Sequence, residues 1–157
     1  MRDEYIGAID QGTTSTRFIV FDAQGNELVR AQQEHDQILP QSGWVEHDPL
    51  QIIDRTCSVI RSAFQKNKLS PESISAIGVT NQRETTIVWN PKTGKPWYNA
   101  IVWQDMRTDR IILELRKNGM EELVRNKTGL PLSTYFSASK LQWILQNVPH
   151  VAKAASR

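Results

Sequence analysis

The chain has 157 residues, 39% of them hydrophobic, enough to bury one core and little more, so one domain or most of one is expected. Its 19 basic and 17 acidic side chains are interleaved, leaving a formal net charge of +2 and no block of like charge to hold a nucleic acid or an anionic membrane by electrostatics alone. That argues against a dedicated polyanion binder.

At the N-terminus, Met1-Arg2-Asp3-Glu4 leads into a short apolar run that ends at Asp10, without the long apolar stretch and small-residue cleavage site of a signal peptide, and none is expected. Residues 5–10 and 18–22 are apolar runs of strand type, joined by turn-forming Gln11-Gly12-Thr13-Thr14-Ser15-Thr16. Gln24-Gly25-Asn26 reads as a second turn and residues 27–33 as a third, edge-like strand, so the chain opens with an antiparallel meander. After an irregular segment over 39–46, Asp48 can cap a helix whose first turn holds Pro49. Ile52, Ile53, Thr56, Val59, Ile60, Ala63 and Phe64 then recur at spacings of three and four, one apolar stripe that should pack on the meander. Cys57 lies in this helix as the only cysteine; no internal disulfide can form, a reducing cytoplasmic compartment fits, and the residue reads as a small core side chain.

Residues 73–79 and 85–89 are further strand candidates, the second ended by the turn Asn90-Pro91-Lys92-Thr93-Gly94. Residues 108–117, 121–127 and 137–146 are helical in composition, separated by Asn118-Gly119 and Gly129-Leu130-Pro131, and residues 151–157 read as the beginning of another helix, not as the end of a domain. No run approaches the roughly 20 apolar residues of a bilayer span. Meander, helix, strand and further helices make a mixed α/β order rather than the strict alternation of a doubly wound parallel sheet.

Two constellations could carry chemistry. Asp10 stands at a strand end, followed by Gly12, the hydroxyls of Thr13, Thr14 and Ser15, and Arg17. Glycine lets a backbone approach a polyphosphate, hydroxyls and turn N–H groups can donate to its oxygens, Arg17 supplies charge, and Asp10 could orient Mg²⁺ directly or through water. The same residues also make an ordinary polar hairpin. No Walker A loop or G-x-G-x-x-G is present, since Gly94-Lys95 runs into Pro96. The second constellation, Arg83-Glu84, sits between two apolar segments, where the cation can donate to hydroxyl oxygens and the anion accept from hydroxyl hydrogens, the pairing a polyol requires. A surface ion pair is the plain alternative. Trp103 and Tyr135 are equally open between core packing and covering the carbon skeleton of such a ligand. His35, His47 and His150 have no metal-ligand spacing, and His47, next to the helix cap, reads as structural.

These segments resemble the FGGY carbohydrate kinases of the actin, Hsp70 and hexokinase superfamily. Gly7-Ala8-Ile9-Asp10-Gln11-Gly12-Thr13-Thr14-Ser15 is similar to the phosphate motif shared across that superfamily. Thr80-Asn81-Gln82-Arg83-Glu84-Thr85, Ile101-Val102-Trp103-Gln104-Asp105 and residues 129–137 resemble the substrate segments of the members that act on glycerol, and Gly43-Trp44-Val45-Glu46-His47-Asp48-Pro49 matches as well. The resemblance implies a ribonuclease-H-like, actin-like α/β domain, ATP and Mg²⁺ as cofactors, Arg83, Glu84, Trp103 and Tyr135 against glycerol, Thr13, Thr14, Ser15 and Arg17 against the nucleotide phosphates, and Asp10 organising Mg²⁺. It also implies a homo-oligomeric full-length enzyme. It covers the leading part of the family's length, so residues 1–157 are expected to form an N-terminal domain incomplete at its C-terminal end, with the catalytic base and the second ATPase domain outside it. A kinase of xylulose or gluconate, or a catalytically incomplete fragment, are the competing readings.

Overall fold

The computed structural model describes residues 4–155. They fall into two compact units: the chain up to Gln37 together with Asp48–Gln82, and Ile38–His47 together with the chain from Arg83 onward. Each has its own apolar cluster, where the composition suggested one core.

In the first unit, β1 (Tyr5–Gln11), β2 (Ser15–Phe21) and β3 (Glu27–Glu34) form the expected antiparallel meander. The turn between β2 and β3 is tied by Asp22, whose Oδ1 accepts from the N–H groups of Gln24 and Asn26 at 2.9 and 2.8 Å. After a 3₁₀ turn at Pro71–Ser73, β5 (Ile74–Thr80) returns beside β1 in parallel, giving the order β3-β2-β1-β5. A meander extended by a parallel strand, with a helix packed on it, is the arrangement expected of a ribonuclease-H-like α/β domain. Alternation sorts β2: Thr16, Phe18 and Val20 point to the interior and are fully buried. With Val29 and Ala31 they receive Val59 and Ala63 of α1 (Pro49–Asn67).

Helix α1 begins as the sequence suggests, with Asp48 accepting from the Leu50 N–H at 2.9 Å and Pro49 in the first turn. Its stripe is narrower than the spacing implied. Ile52, Val59 and Ala63 are buried, whereas Ile53, a hundred degrees further round the helix, is 56% exposed. Cys57 is half-buried on the flank of that stripe and is not a core residue, a correction to the expectation from its helical spacing.

In the second unit, β4 (Glu46–His47) and β6 (Ala100–Ile101) form a two-residue antiparallel ladder. Residues 85–89, expected as a strand, make only isolated bridges, Thr86 to Ile101 and Trp89 to Pro96, because the strand they meet is too short to extend a ladder. His47 is a fully buried strand residue, in keeping with a structural role. Four helices follow: α2 (Asp109–Lys117), α3 (Met120–Thr128), α4 (Ser137–Asn147) and α5 (Pro149–Ala155), the last being the helix anticipated near the chain end. Gly119 and Gly129 flank α3 with φ of 69° and 74°, where a β-carbon would be strained. Ile101, Ile144, Val148 and Val151 are the centre of this unit. Among the described residues no helix is long and apolar enough to cross a membrane.

Candidate functional site

In the first unit, β1 and β2 are joined by a turn in which the Gly12 N–H donates to the Ser15 carbonyl at 3.0 Å. A β-carbon on Gly12 would come within 3.0 Å of that oxygen, so the turn needs bare backbone there. The carbonyls of the turn are claimed by surrounding donors. Gly12 O accepts from Gln82 Nε2 at 3.0 Å and lies 3.2 Å from His35 Nε2, Thr13 O accepts from Gln37 Nε2 at 3.1 Å, and Thr14 O accepts from the His35 N–H at 3.2 Å. Among the described residues every peptide is trans. In a trans peptide the carbonyl and the following N–H point in opposite directions. The Thr13 and Thr14 N–H groups are therefore directed away from these donors, the polarity an anion would meet favourably.

Asp10 and Arg17 face each other across β1 and β2 and form an ion pair at 2.7 Å, with 33% and 37% of their side chains exposed. Arg17 Nε also donates to Gln32 at 3.0 Å. Thr14 is exposed and Thr13 half-buried. Ser15 differs from them, for it is buried and its Oγ accepts from Gln32 Nε2 at 3.1 Å. The hold of Gln32, His35, Gln37 and Gln82 on the turn was not legible in the sequence, because they are polar residues of ordinary type brought in from β3, from the segment after it and from just beyond β5. Among the described residues no group of three or more His, Cys, Asp or Glu side chains gathers as a metal cage. One carboxylate is still compatible with Mg²⁺, which takes one or two carboxylates and completes its shell with water and substrate phosphates.

In the second unit, three of the other predicted residues, Glu84, Trp103 and Tyr135, close into a ring of contacts, and Arg83 stands outside it. Glu84 adopts a left-handed backbone, φ 66°, and its Oε2 accepts from both the N–H and the Oγ–H of Ser137, each at 2.8 Å. Ser137 is the first residue of α4, where the carboxylate meets unpaired N–H groups and the positive end of the helix. Hydrogen bonds from the Ser137 side chain and backbone, helped by attraction to Lys140 and opposed by partial burial, hold the Glu84 carboxyl below its usual value. The chain continues to Thr85, whose Oγ1 accepts from the Trp103 N–H at 3.3 Å. The Trp103 ring packs on Tyr135 with centroids 5.7 Å apart, and Tyr135 leads back through Phe136 to Ser137. Among the described residues neither Glu84 Oε1 nor the Tyr135 hydroxyl has a hydrogen-bond partner, and Arg83 is exposed with no ion pair to Glu84 or to any other group. The plain surface-pair reading of Arg83-Glu84 is thereby corrected: the two charges are adjacent in sequence and separate in their contacts.

The same unit holds a buried charge cluster that the sequence reading left unassigned. Arg107 grips Asp105 with Nε and Nη2 at 2.9 and 2.8 Å and reaches Glu46 Oε1 with Nη1 at 2.8 Å. Tyr98 Oη–H and Asn99 Nδ2 donate to Glu46 at 2.9 and 2.8 Å, and the Val45 N–H donates to Asp105 at 2.6 Å. The guanidinium lies 3.9 Å from the Trp44 ring centroid and 4.8 Å from that of Trp143. Burial opposes its charge, but hydrogen bonds to Asp105 and Glu46 outweigh that and hold Arg107 above its ordinary value. Burial, then the hydrogen bond to Glu46, pushes the Tyr98 phenol up. The available signal was two acids and an arginine set among tryptophans, in Trp44-Val45-Glu46 and Trp103-Gln104-Asp105-Met106-Arg107.

The profile of the FGGY family of carbohydrate kinases, N-terminal domain, matches residues 5–157. Glycerol kinase 3 of Streptomyces avermitilis is 58% identical over 154 residues, covering 98% of this chain and 30% of that protein. Among solved structures, Plasmodium falciparum glycerol kinase with ADP superposes with a TM-score of 0.89 at 35% identity, over 96% of this chain and 30% of the other. Gluconate kinase from Lactobacillus acidophilus follows with a TM-score of 0.83 at 26% identity, over 94% of this chain and 29% of the other. The chain thus spans about 30% of the length of the curated relatives it matches.

Proposed function

Because the chain belongs to the FGGY family of carbohydrate kinases, we propose that it forms the N-terminal part of an ATP-dependent kinase that converts glycerol to sn-glycerol 3-phosphate. The observation that carries this reading is the ring of Glu84, Thr85, Trp103, Tyr135 and Ser137, which leaves a carboxylate oxygen and a phenol without protein partners beside an aromatic face. An acceptor, a donor and an apolar wall are what a short polyol needs, and Arg83 next in sequence adds a cationic donor. We assign the Gly12 turn, with Thr13, Thr14 and Arg17, to the phosphates, and Asp10 to the orientation of Mg²⁺, directly or through water. Ser15 joins them as a supporting residue, because its hydroxyl is taken by Gln32. Bound Mg²⁺ supplies neutralisation of phosphate charge. The terminal hydroxyl of glycerol forms a new bond to the γ-phosphorus as the bond to the β-γ bridging oxygen breaks, ADP leaves, and the hydroxyl proton passes to a carboxylate base that we place outside residues 1–157. Positioning and charge neutralisation carry most of the rate in such transfers. Glycerol is preferred to gluconate or xylulose because, among solved structures, the likeness to the glycerol kinase is 35% identity against 26% for the gluconate kinase, and the curated glycerol kinases reach 58%.

The test is turnover in the longer protein that carries this chain, against a panel of glycerol, xylulose and gluconate. Glycerol is expected to give the highest kcat/KM. Arg83→Ala is expected to raise the glycerol KM by about 10- to 100-fold, the loss of one charged hydrogen bond, whereas Asp10→Ala chiefly lowers kcat. Faster turnover of xylulose or gluconate would overturn the substrate, and unchanged kinetics in either variant would overturn that residue's role.

A further inference from the structure

Lys140 is fully buried, yet no carboxylate lies within ion-pair distance of it among the described residues. Lysine is almost never found inside a protein without a partner. Its place is doubly unfavourable, for it lies in the first turns of α4, at the helix end whose dipole repels a cation. What accommodates the ammonium is backbone. Nζ donates to the carbonyls of Thr134, Tyr135 and Phe136 at 2.7, 2.5 and 3.4 Å, three acceptors for the three protons of the group. These carbonyls belong to one non-helical strap that carries Tyr135 at its centre and ends at Ser137, the residue that binds Glu84.

We propose that Lys140 is a positioning residue, which fixes the strap over residues 134–136 so that Tyr135 and Glu84 are presented together to the substrate. The inference rests on reading those two side chains as polyol contacts. A lysine that only filled core volume would not direct all its donors at consecutive carbonyls beside the site. Nor can it cap the helix, since an ammonium has no acceptor for the N–H groups at the start of α4, the first of which Glu84 accepts.

Burial pushes the Lys140 ammonium down to about 8, against the attraction of Asp105, from the segment preceding α2, and Glu84, from the segment after β5. This gives the role a distinctive sign. Above that pH the amine keeps two protons for three carbonyls, so the strap loosens and affinity for the polyol falls. Overall stability moves the other way, because between about 8 and the ordinary lysine value near 10.4 the unfolded chain binds the proton more tightly than the folded one.

The experiment compares the wild-type chain of 157 residues with Lys140→Met, which keeps the volume and removes every donor. Nuclear Overhauser contact between the Trp103 and Tyr135 rings reports the strap, circular dichroism the helices, and titration with glycerol the site. Lys140→Met is expected to keep its helices, lose the ring contact and bind glycerol about tenfold or more weakly, and the wild type is expected to lose affinity between pH 7 and 9.5 while resisting urea better. Intact ring contact and unchanged affinity in Lys140→Met would overturn the proposal. Should that variant fail to fold, the wild-type pH series alone decides, and constant ring contact across it is the adverse result. If the wild type binds no glycerol while the variant still loses the ring contact, the polyol reading falls and the hold of Lys140 on the strap stands.

Discussion

Among the described residues Glu84 is one of two non-glycine residues with positive φ, a conformation that costs about 1 kcal/mol or more and persists where surrounding contacts impose it. Here the imposing contact is the double hydrogen bond from Ser137, which also favours the ionised carboxyl. A carboxyl held below its unfolded value contributes stability that is fully present above about 4.3 and is lost as the pH falls through the folded value. Urea unfolding between pH 3 and 6 is therefore expected to show a smaller acid-side loss in Glu84→Gln than in the wild type; equal pH profiles would remove Glu84 as the anchor of α4. Arg107 is predicted to matter for a different reason. Its removal leaves Asp105 and Glu46 buried without a counter-charge, so Arg107→Ala is expected to cost about 3–5 kcal/mol. Arg107→Lys keeps the charge and loses the planar fork, so its stability in urea should lie between the two. These residues also mark how far the site could be read from the sequence. Donor and acceptor types at Arg83 and Glu84 were legible, as was the aromatic pair, because chemistry follows from residue type. Ser137, Lys140 and the Arg107 cluster were not, because their roles depend on which distant backbone groups they meet.

At the scale of elements, the tightest constraint is where Gly7 of β1 meets the Phe18 ring of its antiparallel neighbour β2. A β-carbon on Gly7 would lie 2.9 Å from the Phe18 ring and 3.3 Å from Ile77, and the ring is fully buried. Gly7→Ala is expected to lower stability by about 1–3 kcal/mol through overpacking, seen as a lower thermal midpoint. Adding Phe18→Leu should recover part of that loss, and a stability loss that simply adds would show that the clash is not the cause. Local pattern had been enough to find β1, β2, β3, β5 and α1, because alternation, turn residues and the Asp48 cap act within a few residues of where they are read. It failed at β4 and β6, each two residues long, where pairing is set by a partner more than fifty positions away. It overreached at residues 85–89, whose apolar character looks like a strand but which make only two isolated bridges, to Ile101 and to Pro96.

The whole molecule adds an organisation that no local signal announces: Ile38–His47 leaves the first unit between β3 and α1 to join the second. No low-complexity linker marks that boundary, so composition did not place it. The two edges of the four-stranded sheet also differ in kind. On β3, exposed Arg30 and Gln32 alternate with buried Val29 and Ala31, the polar guarding that keeps an edge from pairing with another chain. On β5 nothing comparable exists, since Ile77 and Val79 are 52% and 67% exposed and residues 75–80 carry no charge. A strand with the near-continuous apolar composition of a buried parallel strand, left open at its edge, is a template for association. The chain of 157 residues is therefore expected to self-associate with rising concentration in sedimentation velocity. Val79→Lys should suppress this by placing a charge on the open edge, whereas Gln32→Lys, on the edge already guarded, should leave it unchanged. Equal suppression by both would mean that net charge controls association, and a wild type that stays monomeric would show that the β5 edge is not available for pairing.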